Sequence, residues 1–243
     1  MPVHREVEIK CRVGDLAAFR RGLKRLHARP VPPVSLLSGK RKKKRGANPR
    51  VREMNFLFDT PQSALAKQGQ LLRVRIESED SGRSREASGG FLRAVLTYKG
   101  TALEEGAANP LPSGPLGETS QFVPIGRHKV REEIEVEVAE PAPLAHILEA
   151  LGMRGWFRYE KFRTMYRFPG TARWASDLLI ELDETPIGAF VELEGPSEAI
   201  DRAAKLLGFG PKDYITKSYL ALYLEQCRVR GTTPGHMVFS AEK

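Results

Sequence analysis

The chain is poor in cysteine, with only Cys11 and Cys227 among 243 residues. That is too few for a disulfide framework or a zinc-ribbon ligand set, and the expected address is a reducing cytoplasm. Long apolar runs are missing too, none approaching the roughly 18 residues that a membrane span requires. The opening MPVHREVEIK places charges where a secretory leader would carry its apolar stretch, which argues against export. No Ser-His-Asp or Cys-His arrangement and no GxxxxGK(S/T) phosphate loop is legible. His4, His27, His128, His146 and His236 show no metal-ligand spacing and read as bystanders.

Acidic residues are absent from one stretch. Residues 40–52, KRKKKRGANPRVR, hold eight basic side chains and no acidic one, against a net charge of +9 for the whole chain. Everything outside that stretch therefore carries +1. Basicity confined to one loop argues against nucleic acid as the partner and is expected of a solvated loop, with an anion-binding tongue as the alternative.

What is present is alternation. Val7, Ile9, Cys11 and Val13 share one parity, Glu6, Glu8, Lys10 and Arg12 the other, which predicts a strand with one apolar and one charged face. Asp15 caps a predicted helix with Leu16, Phe19, Leu23 and Leu26 at helical spacing. A basic loop over about 34–50 follows, then strands at 51–59, 71–77 and 91–99, with a polar Gly/Ser-rich stretch at 78–90. Residues 100–128, rich in Gly and Pro, predict a long flexible loop. Residues 133–154 then repeat the opening pattern of 6–29, acidic alternating strand before amphipathic helix. Strands near 157–168, 178–184 and 189–194 and helices near 197–207 and 214–228 complete the reading. The expectation is a single pseudo-symmetric antiparallel domain over 1–228, with 229–243 as a disordered tail.

The charged face returns on nearly every strand: Arg73/Arg75, Thr97/Lys99, Arg131/Glu133/Glu135, Lys161/Arg163, Glu181/Asp183 and Glu192/Glu194. An open sheet with one wet face would account for any single strand. Like charges two residues apart, however, point the same way about 7 Å from each other. Paired carboxylates gain nothing on a solvent face but suit divalent cations, and Arg-x-Arg suits a polyanion. A barrel with this face inward would hold both, as a metal-bound polyphosphate requires.

The ordered set resembles the CYTH, or triphosphate tunnel metalloenzyme, superfamily. Glu6-Val7-Glu8-Ile9-Lys10 is similar to its ExExK opening. It is followed by Leu72-Arg73-Val74-Arg75, Leu96-Thr97-Tyr98-Lys99-Gly100, Arg131-Glu132-Glu133-Ile134-Glu135, Glu160-Lys161-Phe162-Arg163, Glu181-Leu182-Asp183, the 188–194 strand and Lys217-Ser218-Tyr219. The resemblance covers roughly residues 3–225. It implies an α+β fold, an eight-stranded antiparallel β-barrel tunnel with flanking helices. It also implies metal-dependent hydrolysis of a small-molecule triphosphate, inorganic, nucleoside or thiamine, with two Mg or Mn ions as cofactors. By the same resemblance Glu6, Glu8, Asp183, Glu192 and Glu194 are the metal side. Lys10, Arg73, Arg75, Lys99, Arg131, Lys161, Arg163 and Lys217 are the phosphate side. Lys10, Arg73, Arg75, Lys99, Glu133 and Glu135 form the catalytic set.

Two other functions stay open. Class IV adenylate cyclases of this superfamily carry a His-Phe pair eight residues before ExExK; here five residues precede Glu6 and the pair is absent. A non-catalytic polyphosphate or RNA-end binding module would gain nothing from five inward carboxylates. No membrane partner is expected, and the chain is read as a monomer or a homodimer.

Overall fold

The computed structural model describes residues 4–31, 49–80, 88–103 and 127–240. Each alternating segment is a strand. β1 is His4–Val13, β2 Arg29–Val31, β3 Arg50–Asp59, β4 Leu71–Asp80 and β5 Ser88–Lys99. β6 is Lys129–Val138, β7 Arg154–Arg167, β8 Leu179–Thr185 and β9 Gly188–Glu194. The helices are α1 (Leu16–Arg25), α2 (Ala64–Lys67), α3 (Pro141–Ala150), α4 (Ser197–Leu206) and α5 (Tyr219–Arg230).

Eight strands close in the order β7-β3-β4-β5-β6-β1-β9-β8, and β8 pairs back onto β7. Every pairing in the ring is antiparallel. The repeat in the sequence explains this closure. β1-α1-β3-β4-β5 and β6-α3-β7-β8-β9 are two copies of one unit. Exchanging the copies maps the ring onto itself, because β1 pairs with β6 and β3 pairs with β7. The fold is thus the expected antiparallel β-barrel with helices outside.

Closure inverts the usual arrangement of a small barrel. Ile9, Cys11, Ile180, Leu182, Val191 and Leu193 turn outward and are buried under Phe19 and Leu23 of α1 and Ile200, Ala203 and Ala204 of α4. The apolar core therefore lies between wall and helices, and the charged parity is left to fill the lumen. Asp15 caps α1 as expected, accepting from the Ala18 amide at 2.9 Å. α5 starts at Tyr219, capped by Ser218, five residues later than the spacing suggests.

Several expectations are corrected. β2, three residues following α1, was not foreseen; it extends the edge of β7 past the start of β3. β4 and β5 reach into the stretch expected to be a polar loop, to Asp80 and from Ser88. The segment after α5, expected to be disordered from 229, packs on the barrel through Met237 and Phe239. Met237 is 1% exposed. Its amide donates to Arg158 and its carbonyl accepts from Glu160, both on β7. Phe239 lies against Phe162, ring centroids 5.2 Å apart. The physical reason is an unpaired edge: β8 pairs with β7 over Phe162–Tyr166, and the tail takes the stretch before it. The KRKKKR run and residues 104–126 of the long loop lie outside the described residues.

Candidate active site

The lumen encloses a cavity of about 270 Å³. Its wall carries nine basic and seven acidic side chains, so positive charge is in excess. Of the residues singled out from sequence, Glu6, Glu8, Lys10, Arg73, Arg75, Lys99, Arg131, Glu133, Glu135, Lys161, Arg163, Glu192 and Glu194 all line it. Six strands bring them together by alternation alone.

Buried charges are tolerated where they are paired, and the pairs fall into layers. Deepest is a floor of two carboxylates. Asp183, wholly buried, accepts from Lys161 at 2.9 Å, Arg163 Nε at 2.7 Å and the Tyr219 hydroxyl at 2.7 Å. Glu53, 1% exposed, lies 3.4 Å from Lys161 and 3.6 Å from both Arg75 and Arg163. Burial works to raise the Glu53 carboxyl, but Lys161, Arg163 and Arg75 outweigh it and hold it well below the usual range. These two anions fix the cations whose far sides face the cavity.

Above the floor, Glu192 binds Lys10 at 2.7 Å and also pairs with Arg163. Burial opposes its charge, yet Lys10, Lys161 and Arg163 keep it well below the ordinary carboxylate value. Arg75 donates to Glu135 at 2.7 Å. Arg73 donates to the Tyr159 hydroxyl and to Thr97, both at 3.2 Å, and stands 3.6 Å from Glu135. Lys10 sits 4.4 Å over the ring of Tyr219, which closes that side of the lumen.

The remaining carboxylates share fewer cations and crowd one another. Lys99 reaches Glu6 at 2.5 Å and Glu133 at 3.3 Å, and Lys129 engages Glu8. Burial, together with Glu6 and Glu135 and against Lys99, pushes Glu133 up to about 7. Burial, then Glu6 and Glu133, push Glu194 up to about 7 as well. Three carboxylates that raise one another's energy present hard oxygens, the donors that Mg or Mn takes. Glu6, Glu133 and Glu194 could therefore hold a divalent ion, although among the described residues no three acidic, His or Cys side chains are drawn together as a ready ligand group. Asp183 and Glu192 suit that role poorly, since basic partners already take up their oxygens.

Two assignments from sequence change. Asp183 is a buried anchor for Lys161, Arg163 and Tyr219. Lys217 does not line the cavity; it is exposed and pairs with Glu225 at 2.8 Å. Its neighbours Ser218 and Tyr219 reach the lumen in its place. Sequence reasoning left out Arg93, Lys129 and Tyr159 of the cavity wall and Glu53 behind it, and it named Glu181 on the charged face without giving it a role. Glu53 and Lys129 share the alternation of their strands, so parity could have found them. Tyr219 faces the lumen from a helix start, where no alternation exists to signal it.

Unmet donors remain in this wall. The Arg131 side chain has no hydrogen bond or ion pair among the described residues, and its Nε is buried without a hydrogen-bond partner, as are those of Arg73 and Arg75. Both polar atoms of the fully buried Asn55 are likewise unmatched there. Such atoms are costly unless a ligand or water meets them.

Solved structures of similar shape exist, at identities that speak to fold alone. A Vibrio parahaemolyticus protein described as a candidate adenylate cyclase aligns with TM-score 0.58 and 17% identity over 91% of this chain and 98% of its own. The PH1819 protein of Pyrococcus horikoshii gives TM-score 0.59 and 21% identity over 91% and 99%. HpAC1 from Hippeastrum, described as a candidate adenylyl cyclase with a dominant triphosphatase activity, gives TM-score 0.50 and 19% identity over 91% and 96%. No curated protein matches the chain. Residues 4–219 match the CYTH domain model, a span that holds every strand of the closed barrel, and the chain belongs to the CYTH domain family.

Proposed function

We propose that the protein is a metal-dependent hydrolase of triphosphate-containing substrates, acting inside the barrel. The observation that carries this reading is the lumen itself: basic side chains pinned from behind by Glu53 and Asp183, facing a cluster of crowded carboxylates across about 270 Å³. A pure anion site has no use for the second half of that arrangement, and a pure cation site none for the first.

Phosphoryl transfer asks for positioning and for charge where the equatorial oxygens gain it. Arg73, Arg75, Lys10, Lys161 and Arg163 meet that need as donors that barely reorganise, because their carboxylate partners already fix them. Arg131, with its side-chain donors open, adds a further grip from the wall. Bound at Glu6, Glu133 and Glu194, Mg or Mn would neutralise phosphate charge and make a water more acidic. Glu135, two residues along β6 from Glu133 and paired with Arg75, lies beside that cluster and orients what enters it.

A neighbour of the same fold described by its triphosphatase activity supports the hydrolase, and one described as a cyclase keeps the cyclase as the second reading. The two differ in product. Incubated with tripolyphosphate, ATP or thiamine triphosphate and either metal, the protein is expected to release orthophosphate. Diphosphate with a cyclic nucleotide would replace the hydrolase by the cyclase, and no turnover of any of them would leave a binding module.

A further inference from the structure

A second cavity of about 190 Å³ adjoins the tunnel, sharing Leu71, Arg131 and Ser218 with it. Most of its remaining wall is apolar, and it includes Trp156 on β7, 45% exposed although it stands beside buried Phe157. Below the roughly 300 Å³ at which pockets for drug-sized ligands begin, such a space suits one flat ring system. Two charged residues border it. The Asp59 oxygens are taken by the amides of Thr60, Leu65 and Ala66, at 2.7 to 2.9 Å. Arg131 at the neck keeps its donors open, facing tunnel and side cavity alike.

We propose that this side cavity receives the uncharged base of a nucleoside triphosphate whose phosphates lie in the tunnel, with Trp156 as stacking platform and Arg131 holding the phosphate nearest the sugar. The inference rests on the tunnel reading above and narrows its substrate class. Bases stack on an indole whatever their sequence identity, and an arginine beside them adds a favourable planar contact. A thiazolium ring brings positive charge to a neck that already holds Arg131, so thiamine triphosphate is the poorer fit.

Calorimetry on the full chain in chelator, where no turnover occurs, tests this with ATP, thiamine triphosphate and tripolyphosphate as probes. Trp156→Ala is expected to weaken ATP binding about tenfold, within the range that loss of one stacking face gives, while the ATP-to-tripolyphosphate affinity ratio falls by the same factor. Trp156→Phe, which keeps an aromatic face, should hold most of that ratio and shows that the site is still folded. Equal losses for both probes, or no loss for either, would overturn the side cavity while leaving the tunnel reading intact. Tighter binding of thiamine triphosphate than of ATP by the wild type would overturn the choice of an uncharged base. Failure of the wild type to bind tripolyphosphate at all would instead remove the tunnel reading, and this inference with it.

Discussion

Glu192 and Glu194 are equivalent by spacing, two residues apart on one strand, yet their surroundings differ. Glu192 is the partner of Lys10 and Arg163, and its loss would strand two buried cations. Glu194 is surrounded by Glu6, Glu133 and Glu8, and its charge is an expense to the fold. In chelator at pH 8, Glu192→Gln should therefore destabilise by about 3 kcal/mol. Glu194→Gln should stabilise, on the order of 1–2 kcal/mol. Urea unfolding of the two variants checks both signs, and equal shifts would contradict the separation. For turnover, Lys10→Ala and Arg73→Ala should each raise KM and lower kcat, a combined loss of about 3 kcal/mol in transition-state binding. Lys217→Ala should change kcat/KM by less than about threefold, because its partner is an exposed carboxylate away from the cavity.

The element that departs most from expectation is the segment after α5. Met237 joins Leu57, Phe157, Tyr159, Phe190 and Tyr219 in the apolar cluster that closes one side of the lumen. Tyr159 and Tyr219 also touch the charged groups, through Arg73 and Asp183, so the tail bears on the tunnel at one remove. Met237→Ala should cost about 2–5 kcal/mol, as large-to-small changes in a packed site do. Truncation after Arg230 should cost at least as much and raise KM. An unchanged denaturation midpoint for the truncated chain would show that this contact adds nothing.

For the whole molecule, crowded carboxylates set the response to pH. Glu133 and Glu194 titrate near 7 when folded, above their ordinary 4.5. Between those values the native state binds more protons than the unfolded chain, so stability falls as pH rises from about 4.5 to about 7. Metal-free wild type should show that decline, and Glu133→Gln with Glu194→Gln should lessen it, the remainder coming from Glu181, which burial also holds well above the ordinary carboxylate value. Added Mg or Mn should reverse it by binding the native state. The net positive charge of the chain comes mostly from the basic run at 40–52, which bears on rates only through steering. If the 40–45 run steers polyanions, its deletion lowers kcat/KM and removes a salt dependence that the wild type shows. A wild type insensitive to salt would exclude steering.

Alternation along the chain was enough to assign most strands and to place Glu6, Glu8, Lys10, Arg73 and Arg75 on one face, because side-chain direction in a strand is a local property. The repeated strand–helix opening likewise carried the pseudo-symmetry, since two copies of one unit pair through equivalent strands. Which member of a like-charged pair is satisfied and which is strained could not be local. It depends on strands remote in sequence, as Lys161 and Arg163 of β7 meeting Glu53 of β3 and Asp183 of β8 show. Lys217 was misplaced for the same reason: it precedes a helix whose start, not its charge, faces the lumen. Met237 gave no periodic signal, because what orders its segment is the unpaired edge of β7, which exists only once the barrel has closed.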